Sequence, residues 1–340
     1  MSNPHPPVDV LVFGAGAIGL YVGGCLALAG QRVHFVARSG VAALLQAEGL
    51  HVAGLDQLSR HLPSHQLSVS SLIAQAPAAR LLLLAVKGAA TTRAAAEMQA
   101  ACAPATPLLS LQNGVDNIDR IRRAAPSLDA IAGMVPFNVV QAAANEVRQT
   151  TSGRLAAARC ATSEAWQPAF AAAGLPLDLH ADMLPVQWGK LLLNLNNPLN
   201  ALAGIPLLEE LQDRAWRRIL AGLQDEALAA LDAADIRPAR VTPLPSRWLP
   251  TLLRLPTPLF GLLARRMLTI DPSARSSMYE DRLRGRKTEV DDLCGAVVRL
   301  AAAHGRSAPR NRALAALVES AIPGQFYGAD AVARLLNDGR

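Results

Sequence analysis

Short apolar runs punctuate the first 180 residues, and alanine-rich stretches of helical pattern follow most of them. The runs are "VDVLVFGAG", "QRVHFVAR", "ARLLLLAVK" and "PLLSLQN". Strand-length apolar segments alternating with helical ones predict parallel βα units. Three later segments, "AIAGMVPFNVV", "NEVRQTT" and "GRLAAA", stand close together with no helical pattern between them. They predict an antiparallel extension of the sheet, which should end near Leu179.

From about Asp182 the period changes. Long amphipathic runs such as "EELQDRAWRRILAGLQDEALAALDAA" and "SSMYEDRLRGRKTEVDDLCGAVVRLAAAHG" read as helices, and no strand is needed. The proline-rich stretch from Pro238 to Pro272 interrupts them and is expected to be a loop carrying a short outer helix. The pattern thus divides the chain into an α/β domain over residues 1–181, a doubly wound sheet, and an all-helical domain over residues 182–340.

A length of 340 residues agrees with two domains, and 51% apolar with 18% charged residues is a globular composition. The most apolar stretch, "WLPTLLRLPTPLFGLLARRM", is broken by Arg254 and by prolines, so no membrane span is expected. The N-terminal "MSNPHPP" has neither the basic region nor the apolar core of a signal peptide, which predicts a cytoplasmic protein. Cys25, Cys102, Cys160 and Cys294 lack the close spacing of a zinc site or redox dithiol and read as buried thiols, with no metal. The net charge of +6 raises the question of nucleic acid, especially with "RAWRR" and "RLRGRK". Aromatic residues are only 4% and none interleave with those clusters, so an anionic small molecule is the expected partner, without nucleic acid or membrane.

The first apolar run ends in "FGAGAIG", a G-x-G-x-x-G lying between a strand and a helix. In that context Gly14 permits the tight turn, Gly16 lets the backbone approach a pyrophosphate, and Gly19 lets helix and strand pack closely. The helix N-terminus, through Ala17 and Ile18, then faces the phosphates. An NAD enzyme usually carries Asp or Glu at the end of the next strand, but here the residues are Ala37, Arg38 and Ser39. The guanidinium of Arg38 favours the 2′-phosphate of NADP, which a carboxylate would repel. Lys87 and Asn113 end two further strands, at the edge where open α/β sheets bind ligands.

The charge composition contains one more clue. The 33 basic residues are thirty arginines and three lysines, Lys87, Lys190 and Lys287. A lysine can release its proton where an arginine cannot, so a lysine kept against this bias marks a candidate proton donor. In "QWGKLLLNLNNPLNAL", Lys190, Asn194 and Asn197 stand at i, i+4 and i+7 and share one face of a helix otherwise made of leucine. Such a polar stripe suits a substrate cleft better than bulk water, since burying an unpaired amide costs about 2–7 kcal/mol. Pro198 predicts a kink or end of the helix at Asn197. In "RSSMYEDRLRGRKTEVDDL", Ser276 or Ser277 can cap a helix with Glu280 as its partner, and Glu289 is one of several acids.

Taken together, "GAGAIG", "AVKG", "SLQNG", "WGKLLLNLNNPLNAL" and "SSMYEDRLRGRKTEVD" resemble, in order and over nearly the whole chain, the ketopantoate reductase (2-dehydropantoate 2-reductase) family. The resemblance implies a soluble NADP-dependent oxidoreductase that reduces a 2-oxo acid, 2-dehydropantoate to (R)-pantoate in pantothenate biosynthesis, and leaves a homodimer open. It makes Gly14, Gly16 and Gly19 the pyrophosphate loop and Arg38 and Lys87 the 2′-phosphate pair. Asn113 then lies near the nicotinamide and substrate. Lys190 becomes the proton donor, and Glu289 the acid that holds the substrate hydroxyl and keeps the lysine in place. Ser277 and Asn194 become substrate contacts, together with Asn197. One departure from the family pattern is that Asn197 falls seven residues after Lys190, where eight is common. That shift motivates another reading, a paralogous reductase of a different 2-oxo acid; a non-catalytic NADP-binding sensor is a further alternative, against which the presence of both Lys190 and Glu289 counts.

Overall fold

The structure is a computed structural model that describes residues 6–242, 244–265 and 274–338. It divides into two compact units, one ending at Met183 and the other beginning at Leu184.

The first unit holds twelve strands. In chain order they are β1 (Val8–Phe13), β2 (Val33–Val36), β3 (Leu50–Ala53), β4 (Ser59–Leu62), β5 (Ser68–Ser70) and β6 (Ala79–Leu84). Then follow β7 (Pro107–Ser110), β8 (Asp129–Met134), β9 (Val139–Ala143), β10 (Glu146–Gln149), β11 (Leu155–Ala158) and β12 (Leu177–His180). Five α-helices are described in this unit: α1 (Ala17–Leu28), α2 (Ser39–Glu48), α3 (Thr91–Ala101), α4 (Asn117–Ala124) and α5 (Ala161–Ala172).

Eight strands form the main sheet in the order β12-β11-β8-β7-β6-β1-β2-β5. Alternate residues of its central strands enter opposite cores, as the two-residue period of a strand requires. Val10 and Val12 of β1 and Leu81 and Leu83 of β6 pack with α1 and α5 residues such as Leu20, Leu26 and Phe170. Leu11, Leu82 and Leu84 pack on the other side with Ala95 and Met98 of α3 and Ile121 of α4. A strand covered on both faces needs apolar residues at every position, which is why these runs are continuous rather than alternating.

The predicted antiparallel extension exists, and β11 runs antiparallel to β8. Only "GRLAAA" of the three segments makes it, however. β9 and β10 leave the main sheet and join β3 and β4 in a separate four-stranded sheet, where β10 lies parallel to β3. The main sheet ends with β12 at His180, next to the expected Leu179.

All regular elements described in the second unit are helical. They are α6 (Leu184–Asn194), α7 (Asn196–Ala203), α8 (Leu207–Gln212), α9 (Arg214–Ala233), α10 (Leu249–Arg254) and α11 (Thr257–Leu263). After them come α12 (Ser277–Leu283), α13 (Ala296–Ala303), α14 (Pro309–Ser320) and α15 (Ala329–Asp338). The backbone of α9 starts at Asp213, whose carboxylate accepts the Ala215 N–H, and Trp216, Leu220, Leu223, Ala227 and Leu231 form its buried stripe. In the proline-rich stretch two short helices, α10 and α11, stand where one was expected, while Pro243 and residues 266–272 lie outside the described residues.

Both arginine clusters contribute to the interior. Arg217 of "RAWRR" is fully buried, donates to the carbonyls of Leu211, Gln212, Leu253 and Leu255, and lies over the Phe260 ring. Arg282 of "RLRGRK" is buried as well and donates to the carbonyls of Ala201, Ile322 and Gln325. The charge that suggested a polyanion is thus partly spent on closing helix ends. Cys294 is buried as expected, but Cys25, Cys102 and Cys160 are only partly so, and all four are free thiols.

Candidate active site

In the first unit the glycine turn joins β1 to α1. Gly14 has φ of +109°, which favours glycine, and a Cβ there would lie 2.8 Å from Val86 Cγ1 and 2.9 Å from the Ala85 carbonyl carbon. The turn is therefore pressed against the end of β6. A Cβ on Gly19 would come within 2.0 Å of the Gly14 oxygen, so helix and strand meet there without a side chain between them. Gly16 differs, since a Cβ there would meet nothing within 4 Å. Gly16 also stands at the N-cap of α1 without a side-chain cap, leaving the N–H groups of Ala17 and Ile18 open to an external acceptor. One tight glycine, one close-packed glycine and one open glycine at an uncapped helix start fit a diphosphate.

The flanking strand ends fall at the same edge. β1 lies between β2 and β6 with all three parallel, so Gly14, Arg38 and Lys87 follow their carboxyl ends at the reversal of strand order. Arg38 and Lys87 are exposed. Asn113 follows β7 and is partly buried, and its backbone oxygen accepts the Asn117 amide at 2.6 Å. Behind it runs a buried polar chain. Ser110 donates to Gln112 Oε1, Gln112 Nε2 donates to Val86 O at 2.9 Å and Thr91 Oγ1 at 2.7 Å, and Thr91 donates to Asn117. This chain ties the segment bearing Lys87 to the segment bearing Asn113. The "SLQNG" motif contained its signal, a glutamine at the end of a buried strand.

In the second unit Lys190 and Asn194 share α6, one turn apart, and both are partly buried. Burial pushes the Lys190 amine down to about 8, against the upward pull of the Glu289 carboxylate. Glu289 comes from a bend after α12. It stands two residues before a π-helical turn, Asp291–Gly295, that leads into α13, and its carbonyl accepts the Asp292 N–H at 3.0 Å. Turns of this kind are frequent at functional sites. Gly189, beside the lysine, lets α6 approach a neighbouring segment, since a Cβ there would lie 2.5 Å from the Ala239 oxygen.

The predicted break near Pro198 occurs at Leu195, two residues earlier than the proline rule placed it. Pro198 occupies the first turn of α7, where the helix does not use its missing N–H. Gln224 of α9, itself buried, donates to the Leu192 carbonyl beside the break at 3.0 Å. Lys190 and Asn194 therefore stand on α6, and Asn197 stands on α7. It is partly buried, and its carbonyl accepts the Ser276 hydroxyl at 3.1 Å. Ser276, not Ser277, caps α12, accepting the Tyr279 N–H, while Ser277 is exposed at the first helical position. Three buried residues that the sequence reading passed over lie next to these: Asn196, Asn200 and Glu210.

Residues 10–161 match the family described as "Ketopantoate reductase PanE/ApbA", and residues 182–321 match its C-terminal part. The chain is similar to the 2-dehydropantoate 2-reductase of Halobacterium salinarum, at 27% identity over 92% of this chain and 98% of that one. The corresponding Caulobacter vibrioides enzyme is 25% identical over 66% of this chain and 71% of its own. Among solved structures, a PanE/ApbA family ketopantoate reductase from Ralstonia eutropha superposes with a TM-score of 0.79 at 27% identity, covering 97% of this chain and 99% of that one. D-mandelate dehydrogenase, solved with NADH and anilino(oxo)acetate, shares the fold at a TM-score of 0.77 and 17% identity, over 96% of this chain and 99% of its own. With both parts of the family matched along the chain, this protein belongs to the ketopantoate reductase family of nicotinamide-dependent oxidoreductases.

Proposed function

We propose that this enzyme reduces 2-dehydropantoate to (R)-pantoate with NADPH, as a cytoplasmic step of pantothenate biosynthesis, and that Lys190 donates the proton. The observation that carries this reading is the Lys190 amine, partly buried, lowered to about 8 and acted on by Glu289. As a ketone is reduced, negative charge grows on its oxygen and must be met by a proton. An amine with a pKa near 8 is still mostly charged at neutral pH and releases its proton far more readily than an arginine. When bound, the reduced nicotinamide supplies the hydride.

The remaining roles are those that the family resemblance assigns. Gly14, Gly16, Ala17, Ile18 and Gly19 hold the diphosphate, and Arg38 and Lys87 bind the 2′-phosphate, with the 1–181 domain as cofactor holder. Asn113 borders nicotinamide and substrate. Glu289 keeps the lysine charged and takes the substrate hydroxyl. Asn194, Asn197 and Ser277 hold the acid substrate in the 182–340 domain. Ser277 is the serine left for the carboxylate because Ser276 is used by the helix.

A second reading, reduction of another 2-oxo acid, is favoured by the break at Leu195, which puts Asn197 on a different helix from Lys190. Spectrophotometric assay of a panel of 2-oxo acids with NADPH and NADH tests both. Turnover of 2-dehydropantoate above the others supports the first, and a preferred different acid supports the second. Cofactor binding without turnover of any acid rejects both.

A further inference from the structure

The first turn of α12 and the body of α7 are joined by a buried polar chain that ends on a carboxyl group. Asn200 is fully buried, Glu210 is 1% exposed and Ser276 is 4% exposed. Asn200 Nδ2 donates to Glu210 Oε2 at 2.6 Å and to Ile205 O at 2.9 Å, and its Oδ1 accepts the Ser276 N–H at 2.8 Å. Both amide hydrogens and the carbonyl oxygen are engaged, so no apolar residue can take this place without stranding a partner. Ser276 in turn donates to Asn197 O. Asn196, one turn before Asn200 on α7, also hydrogen-bonds to Glu210. Two of the three α7 asparagines are therefore committed to the carboxyl group of α8. Asn197, about 100° around the helix from Asn196, is not.

We propose that Glu210, acting through Asn200 and Ser276, is a positioning residue that sets where Asn197 and Ser277 stand and so governs substrate affinity rather than the chemical step. The inference rests on the reductase reading given above. From Glu210 the hydrogen bonds run through Asn200 to Ser276, which donates to the Asn197 carbonyl and directly precedes Ser277 in the chain. Neighbouring Glu209 is exposed, so the burial of Glu210 is a property of its place and not of the acidic pair.

The test is steady-state kinetics of the full-length enzyme with 2-dehydropantoate and NADPH, on Glu210→Leu, Asn200→Ala, Ser276→Ala and the conservative Glu210→Gln. The expected result is a rise in KM for the oxo acid of about tenfold or more in the first three, with kcat within about threefold. Glu210→Gln, which keeps an acceptor for Asn200, should restore KM to near the wild-type value, and NADPH affinity should be unchanged throughout. Ser276→Ala is the smallest change and keeps the test open if the larger ones do not fold. Unchanged KM in folded variants, equal losses in kcat and KM, or a Glu210→Gln variant as impaired as Glu210→Leu would overturn the proposal. A wild-type enzyme that turns over no oxo acid removes the reductase reading, and this inference with it. That outcome differs from the others because it appears before any substitution is made.

Discussion

The Glu289 carboxylate acts on the buried Lys190 amine and strengthens its hold on a proton. Burial favours the neutral amine, while the carboxylate favours the charged one, and the balance leaves the amine at about 8 rather than its usual 10.5. A proton donor must be charged to act, so the value of kcat/KM for ketone reduction should fall as pH rises through about 8. Replacing Glu289 with Gln removes the raising influence and should move that falling limb to lower pH. A pH–rate profile of both proteins checks the sign, and an unmoved limb would detach Glu289 from the lysine.

Lys190→Arg keeps the positive charge and withholds the proton. Turnover should fall about 10²-fold or more, while NADPH binding, followed by fluorescence titration, stays close to wild type. Near-normal turnover would reject the proton-donor role.

Arg38 is exposed at the end of β2, where a carboxylate would mark NAD. Arg38→Asp should weaken NADPH binding about tenfold or more, ~1.4 kcal/mol, and NADH much less. An unchanged ratio of the two affinities would mean that Arg38 does not read the 2′-phosphate.

Gly189→Ala tests packing beside the lysine. The added Cβ would lie 2.5 Å from the Ala239 oxygen, so α6 or the facing segment must shift. The expected loss is about 1–3 kcal/mol in urea unfolding, with a fall in activity because Lys190 moves with its helix.

Glu210 makes a prediction about stability with a definite sign. Burial pushes its carboxyl from 4.5 up to about 8, with the Asn200 and Asn196 amides pulling the other way. Between those values the unfolded chain has lost a proton that the folded chain keeps, so stability should decline as pH rises through that window. The contribution is fully present below 4.5 and gone above about 8. Glu210→Gln should flatten this slope, as measured by unfolding across the window. A slope that survives the substitution assigns it to other groups.

The glycine turn was legible because its determinants are local: strand, turn and helix follow one another within a few residues, and Gly14 and Gly19 each answer a nearby contact. Lys190 stood out for a chemical reason, the near absence of other lysines. The path of β9 and β10 was not legible, because β10 pairs with β3 some hundred residues earlier and β9 follows it, and pattern alone does not name a distant partner. The helix break was anticipated but misplaced. A proline rule is local, whereas Gln224 meets the carbonyl beside the actual break from α9. Glu210 escaped because "LLEELQ" reads as a solvated helix end, and only the fold distinguishes its two glutamates.

The π-helical turn after Glu289 carries a consequence for how this family member can change. Such a turn holds one residue more than α-helical geometry needs, and α13, which follows it, is packed on α9. Deleting a single residue from Asp291–Gly295 would let the turn relax to an ordinary helix while α13 stays anchored. Glu289, which sits in the bend two residues before the turn and bonds into it through its carbonyl, would then be drawn out of its place. The lysine would lose its carboxylate with every side chain of the site still encoded, so a one-codon deletion here acts as a substitution of a residue it never touches.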